Sequence, residues 1–157
     1  MVSMNKSFQN CSVLILFLLL VVVLSGCSAI PRVKLTDNSM EPNFFEGDQF
    51  DVYEISQNDI SRGDLLYFKL SFSEQYLVKR VVGLPNETIM IRDGEIYIDD
   101  ILLEETYKVI PPNYEIQVQL TNDMYFLLGD NRANSMDSHN FGPISIEEIV
   151  DLAIPVK

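Results

Sequence analysis

The stretch Tyr76–Ile98, YLVKRVVGLPNETIMIRDGEIYI, decides how the chain is read. Its second half holds two short runs, Thr88–Arg92 and Glu95–Ile98, rich in isoleucine and alternating in polarity. Asp93-Gly94 lies between them, a pair suited to the positive backbone φ angles of a two-residue hairpin turn. The first half, Tyr76–Val82, is an apolar, β-branched run that reads as another strand. Side chains alternate across a strand, so Leu77, Lys79 and Val81 share one face and Tyr76, Val78, Arg80 and Val82 the other. If either face is core, one cation is buried. A buried arginine stays charged, whereas a buried lysine can lose its proton. To bring a lysine from about 10.4 to about 8, the site must disfavour the charged form by roughly 3 kcal/mol. A neutral lysine of this kind suits a catalytic base.

Working outward, more strands come into view. Asp48–Ile55 alternates, Leu65–Leu70 is apolar, and Asp99-Asp100 turns the chain into Ile101–Leu103. Glu115–Leu120 and Met124–Leu128 are two further runs. Ser145–Ala153, led in by Pro143, hints at a short helix or turn. The fold class is mostly β, an antiparallel barrel or paired sheets.

The N-terminal part differs in kind. Val13–Leu24 is an unbroken apolar run, and Cys11–Ile30 carries no charge. Twenty helical residues span about 30 Å, the thickness of a bilayer core. Residues 1–30 therefore read as one membrane-spanning or signal helix. Leu24-Ser25-Gly26-Cys27 also resembles a lipobox, with Cys27 as lipidation site. Either reading holds residues 31–157 at the outer face of a membrane, in contact with lipid.

Charge and cysteine content narrow the function. The net charge is −12, and Lys6 is the one charged residue before position 31, so residues 31–157 carry −13. A surface this acidic speaks against a nucleic-acid partner. Both cysteines, Cys11 and Cys27, precede residue 31, so the main domain has no disulfide and no thiolate metal site. The single histidine, His139, argues against a His-based triad or a multi-His metal site.

Three other segments stand beside the lysine strand: Asn38-Ser39-Met40-Glu41-Pro42, Arg62-Gly63-Asp64, and the polar loop Gly129–Pro143, GDNRANSMDSHNFGP. Each alone is an ordinary turn. Taken in order with Lys79–Pro85, they resemble the type I signal peptidases, the Ser/Lys leader peptidases, from about Val33 to Ile144. The resemblance implies a β-sheet domain on the extracytoplasmic face of a cell membrane, behind a single-pass anchor. It implies a serine endopeptidase that removes signal peptides from exported preproteins after small residues, with no cofactor and no metal. Ser39 matches the nucleophile and Lys79 the general base. Ser135 matches the serine that orients the lysine amine. Asp130, Arg132 and Asp137 match residues that hold the catalytic loops, and Met40 the residue beside the nucleophile.

Three positions depart from the family pattern. Asp37 stands where a glycine or small hydroxyl residue usually supplies an oxyanion donor. A carboxylate aimed at the oxyanion opposes catalysis, whereas an N–H there does not. His139 replaces an arginine and reads as a structural stand-in. Asn86-Glu87 replaces Gly-Asp, and asparagine tolerates the same left-handed turn. Two other classes compete: a self-cleaving repressor, which needs a DNA-binding domain where this chain has its apolar segment, and a weak or inactive relative that binds signal peptides or a partner peptidase.

Overall fold

The computed structural model describes residues 30–156. The expected anchor or signal helix, with Cys27, lies outside the described residues. Among the described residues, no helix is long and apolar enough to cross a membrane.

Among the described residues, eleven strands form two sheets. In chain order they are β1 (Arg32–Lys34), β2 (Gln49–Tyr53), β3 (Leu65–Lys69), β4 (Tyr76–Gly83), β5 (Thr88–Arg92), β6 (Glu95–Ile98), β7 (Ile101–Leu102), β8 (Ile116–Gln119), β9 (Met124–Leu128), β10 (Ile144–Ser145) and β11 (Ile149–Pro155). The larger sheet runs β1-β2-β11-β3-β4-β9-β10 and the smaller β7-β6-β5-β8. Every pairing within them is antiparallel.

Of the two expected forms, the paired sheets are present and the closed barrel is not. The end strands β1 and β10 have one partner each, and closure would require them to meet. At three and two residues they are short edges, one way a sheet avoids adding a foreign strand.

The β5–β6 hairpin forms as the sequence predicts, with Asp93 and Gly94 at φ 52° and 80°. Asp99 and Asp100, at φ 49° and 66°, make the next tight turn into β7. Asn86 takes the left-handed conformation expected of it, at φ 69°. Glu87, the other departure there, accepts from Nη1 and Nη2 of Arg62 and from the Leu84 N–H.

The C-terminal segment corrects the sequence reading. Only Ile146–Glu148 is helical, a single 3-10 turn capped by the Ser145 hydroxyl. Ile149–Pro155 is instead a strand inside the larger sheet, between β2 and β3. Its pairing, Leu152 with both Tyr53 and Leu66, depends on partners far away in sequence and overrides the local pattern.

Three apolar clusters hold the sheets, and β4 contributes to each. Val78 packs with Met40, Phe50 and Leu65; Val81 with Phe68, Tyr125 and Leu127; Val82 with Ile89, Phe126 and Leu128. From Val78 onward every residue of β4 is buried. Strand β4 therefore has no solvent face along that length, and its two cations lie within the protein.

Candidate active site

Ser39 lies in the turn-rich segment between β1 and β2. That segment is fixed by Met40, whose side chain is wholly buried among Leu35, Phe50 and Val78. Met40 thus anchors the Ser39 backbone from beneath. Its side chain lies beside Ser39 with no exposed surface of its own. From the other side, the Ser39 carbonyl accepts the Asn131 N–H at 2.9 Å. Ser39 itself is 3% exposed.

Lys79 reaches it from β4. Its Nζ donates to Ser39 Oγ at 2.7 Å and to the Val78 carbonyl at 3.2 Å. The side chain is 1% exposed. Burial pushes its pKa below the ordinary lysine value, and the carboxylates of Asp37, Asp137 and Asp130 oppose the shift without cancelling it. Lys79 is a buried amine with a lowered pKa, in contact with a hydroxyl.

Asp37 completes the cluster. One carboxylate oxygen, Oδ1, accepts from Ser39 Oγ at 2.6 Å and from the Ser39 N–H at 3.0 Å. The other, Oδ2, lies 4.0 Å from Lys79 Nζ. Partial burial raises the Asp37 pKa, but Lys79 and the two Ser39 hydrogen bonds outweigh it and hold the group below the usual carboxylate range. At the position where the family pattern places an oxyanion donor, this chain has a carboxylate, and it accepts the Ser39 N–H.

The loop after β9 supports the site. Asp130 is fully buried and accepts a two-pronged pair from Arg80 at 2.8 and 2.7 Å, plus Asn43 Nδ2 at 2.7 Å. Arg132, also fully buried, donates to the Gly129 carbonyl at 2.7 Å and to both oxygens of Glu105. Asp137 accepts the Gly129 N–H at 3.0 Å and caps the short helix α1 (Ser138–Phe141). His139 Nδ1 lies 2.7 Å from Asp137 Oδ1, and its ring stacks on Tyr114. The histidine therefore meets Asp137.

Ser135 departs from its expected role. Lys79 donates to Ser39 and Val78, while Ser135 Oγ is buried against Gly129 with no hydrogen-bond partner among the described residues.

Sequence reasoning missed four contributors. Arg80 was visible as the second cation of β4, but its partner Asp130 lies 50 residues on. Asn43 joins Asp130 to the Lys108 carbonyl, and no local pattern marks it. Glu105 and Tyr107 come from a stretch without periodicity. Tyr107 stacks on Arg80, ring centre to guanidinium carbon 3.9 Å, and donates to Glu105.

Residues 8–156 match the family described as signal peptidase, peptidase S26. The chain belongs to this family. The signal peptidase relatives include the "probable signal peptidase I-1" of Synechocystis, 32% identical over 157 residues, covering 93% of this chain and 80% of that protein. The "probable signal peptidase I-2" of the same organism is 33% identical over 128 residues, and there the chain spans 59% of the relative's length. Among solved structures, a signal peptidase I from Enterococcus faecalis V583 superposes with a TM-score of 0.54 at 27% identity, over 63% of this chain and 98% of that one. The signal peptidase I fold thus accounts for the antiparallel sheets.

Proposed function

We propose that the chain is a membrane-bound endopeptidase that removes signal peptides from exported preproteins, with Ser39 as nucleophile and Lys79 as general base. The observation that carries this reading is the 2.7 Å contact between Ser39 Oγ and an almost fully buried Lys79 Nζ. A serine hydroxyl needs a base to attack an amide, and a desolvated lysine can be that base without histidine.

In this mechanism neutral Lys79 takes the hydroxyl proton as Ser39 Oγ bonds to the scissile carbonyl carbon. The carbonyl electron pair moves onto oxygen, which needs N–H donors such as that of Ser39. The tetrahedral species collapses, the C–N bond breaks, and Lys79 passes its proton to the departing nitrogen. Water then attacks the acyl-enzyme, again giving its proton to Lys79, and Ser39 recovers its own. Arg80, Asp130, Arg132 and Asp137 bind no reacting atom here; they fix the backbone on which the two partners stand.

The apolar segment 13–24 supports placement at a membrane, as an anchor or through a lipid on Cys27. Mass spectrometry of the mature N-terminus separates the two. The catalytic test uses the purified chain in detergent with a peptide carrying an Ala-x-Ala cleavage signal. Ser39→Ala and Lys79→Ala should each abolish cleavage, and retained activity in either would overturn the assignment.

One observation favours a second reading, a weak or inactive relative: the Asp37 carboxylate already occupies the Ser39 N–H that the oxyanion requires. Absence of cleavage by the wild-type chain on every such peptide is the outcome that reading expects.

A further inference from the structure

Three features of Asp37 work against the reaction just described, and all come from one carboxylate. Its Oδ1 accepts the Ser39 N–H, so that donor is not free for a tetrahedral oxyanion. The same oxygen accepts the Ser39 hydroxyl proton, so the proton points away from Lys79. Its charge, with Oδ2 4.0 Å from Lys79 Nζ, favours the protonated amine and so opposes the neutral base. A carboxylate left in place would also repel a negative oxygen forming beside it.

The same group is open to relief from outside. The Asp37 side chain is 43% exposed, unlike Ser39, Lys79, Asp130 and Asp137, which are buried. Oδ2 makes no hydrogen bond among the described residues, and Lys79 is the one cation within ion-pair distance. A second cation arriving from the substrate side could therefore take Asp37 as its partner. It would draw the carboxylate off the Ser39 N–H, let the hydroxyl turn to Lys79, and weaken the hold of Asp37 on the lysine proton.

We infer that Asp37 is a specificity-determining residue, a built-in brake on Ser39 that is released by substrates carrying a basic side chain next to the scissile bond. The inference rests on the peptidase reading above. The carboxylate then selects by charge: a cation beside the cut is favoured, a neutral side chain leaves the brake on, and an anion adds repulsion.

The test uses the full chain in detergent and a set of Ala-x-Ala peptides. They differ only in having Lys, Gln or Glu at the x position, or at the first or second residue after the cut. At one of these positions the wild type should cleave the Lys peptide about tenfold faster in kcat/KM than the Gln peptide, and the Glu peptide more slowly still. Asp37→Asn and Asp37→Gly should flatten the series and cleave the Gln peptide faster than the wild type does. Cleavage by the wild type without charge preference would overturn the inference, as would a preference that survives in both variants. Cleavage by the variants alone would also overturn it, because it would show a brake that a basic side chain does not release. If neither the wild type nor either variant cleaves any peptide, the peptidase reading itself falls and takes this one with it.

Discussion

Lys79 and Arg80 are neighbours in β4 and both are buried, yet only Arg80 has a carboxylate in direct hydrogen-bonding contact. Arg80 meets Asp130 through two bonds of 2.8 and 2.7 Å, while the nearest carboxylate oxygen to Lys79 Nζ is that of Asp37 at 4.0 Å. Strand alternation sends the two side chains to different surroundings. One cation is tied to a buried carboxylate. The other is left with a hydroxyl and a carbonyl, neither of which fixes its charge, and burial draws its proton away.

The pH–rate profile should therefore show a basic requirement. In the proposed mechanism Lys79 acts only when neutral, and its folded pKa lies below 10.5. Cleavage should rise with pH through that lowered pKa, with a slope near one in log kcat/KM, and level off above it. Lys79→Arg should be inactive at every pH, because a guanidinium keeps its proton. A plateau already reached at pH 5 would contradict the role of the amine.

Stability should carry the opposite mark of the same burial. Between the lowered folded pKa and 10.5, the unfolded chain binds more protons at this position than the folded one. Lys79 therefore makes the fold less stable at neutral pH, and this contribution fades as pH rises toward 10.5. Lys79→Met, similar in length and apolar, should raise stability by about 1–3 kcal/mol at pH 7. Denaturant melts of both proteins across pH 7–10.5 read the difference directly. A gap that widens with pH would show that the lysine is not held against its charge.

The local half of this arrangement is legible in the sequence and the remote half is not. The β5–β6 hairpin could be placed to the residue because alternation and the Asp93-Gly94 turn are short-range properties. Lys79 could be singled out because an apolar strand forces a cation inward. By contrast, β11 is a strand only because β2 and β3 leave a gap that Leu152 and Ala153 fill, and no window of eight residues contains that information. The link from Asn43 to Asp130 spans 87 residues, and that from Glu105 to Arg132 spans 27. The orienting bond expected of Ser135 followed from family resemblance. Here its hydroxyl has no hydrogen-bond partner among the described residues, and Asp37, a departure from the family pattern, accepts the Ser39 hydroxyl instead.

The Arg80–Asp130 pair should behave as one unit. Asp130 is fully buried, so Arg80→Met or Asp130→Leu alone leaves an uncompensated charge and should cost about 3–5 kcal/mol. The double variant should cost clearly less than the two single costs added together, because it removes both charges. Chemical denaturation of the four proteins closes the cycle. Additive losses would mean the pair contributes nothing as a pair.

Gly129 should prove intolerant of any side chain, for a reason that reaches the nucleophile. Its N–H donates to Asp137 and its carbonyl accepts from Arg132, so the backbone there cannot shift without breaking one of them. A Cβ would overlap both the Ser135 side chain and the Ser39 carbonyl oxygen. Gly129→Ala should thus destabilise the fold by about 1–3 kcal/mol and displace Ser39 from Lys79, lowering kcat more than it alters KM. Adding Ser135→Gly removes one of the two overlaps and leaves the one against the Ser39 carbonyl. That pair should recover part of the lost stability but little of the lost kcat. Full recovery of kcat would show that the strain ran through Ser135 alone, and that the contact of Gly129 with the Ser39 backbone has no part in aligning the hydroxyl with its base.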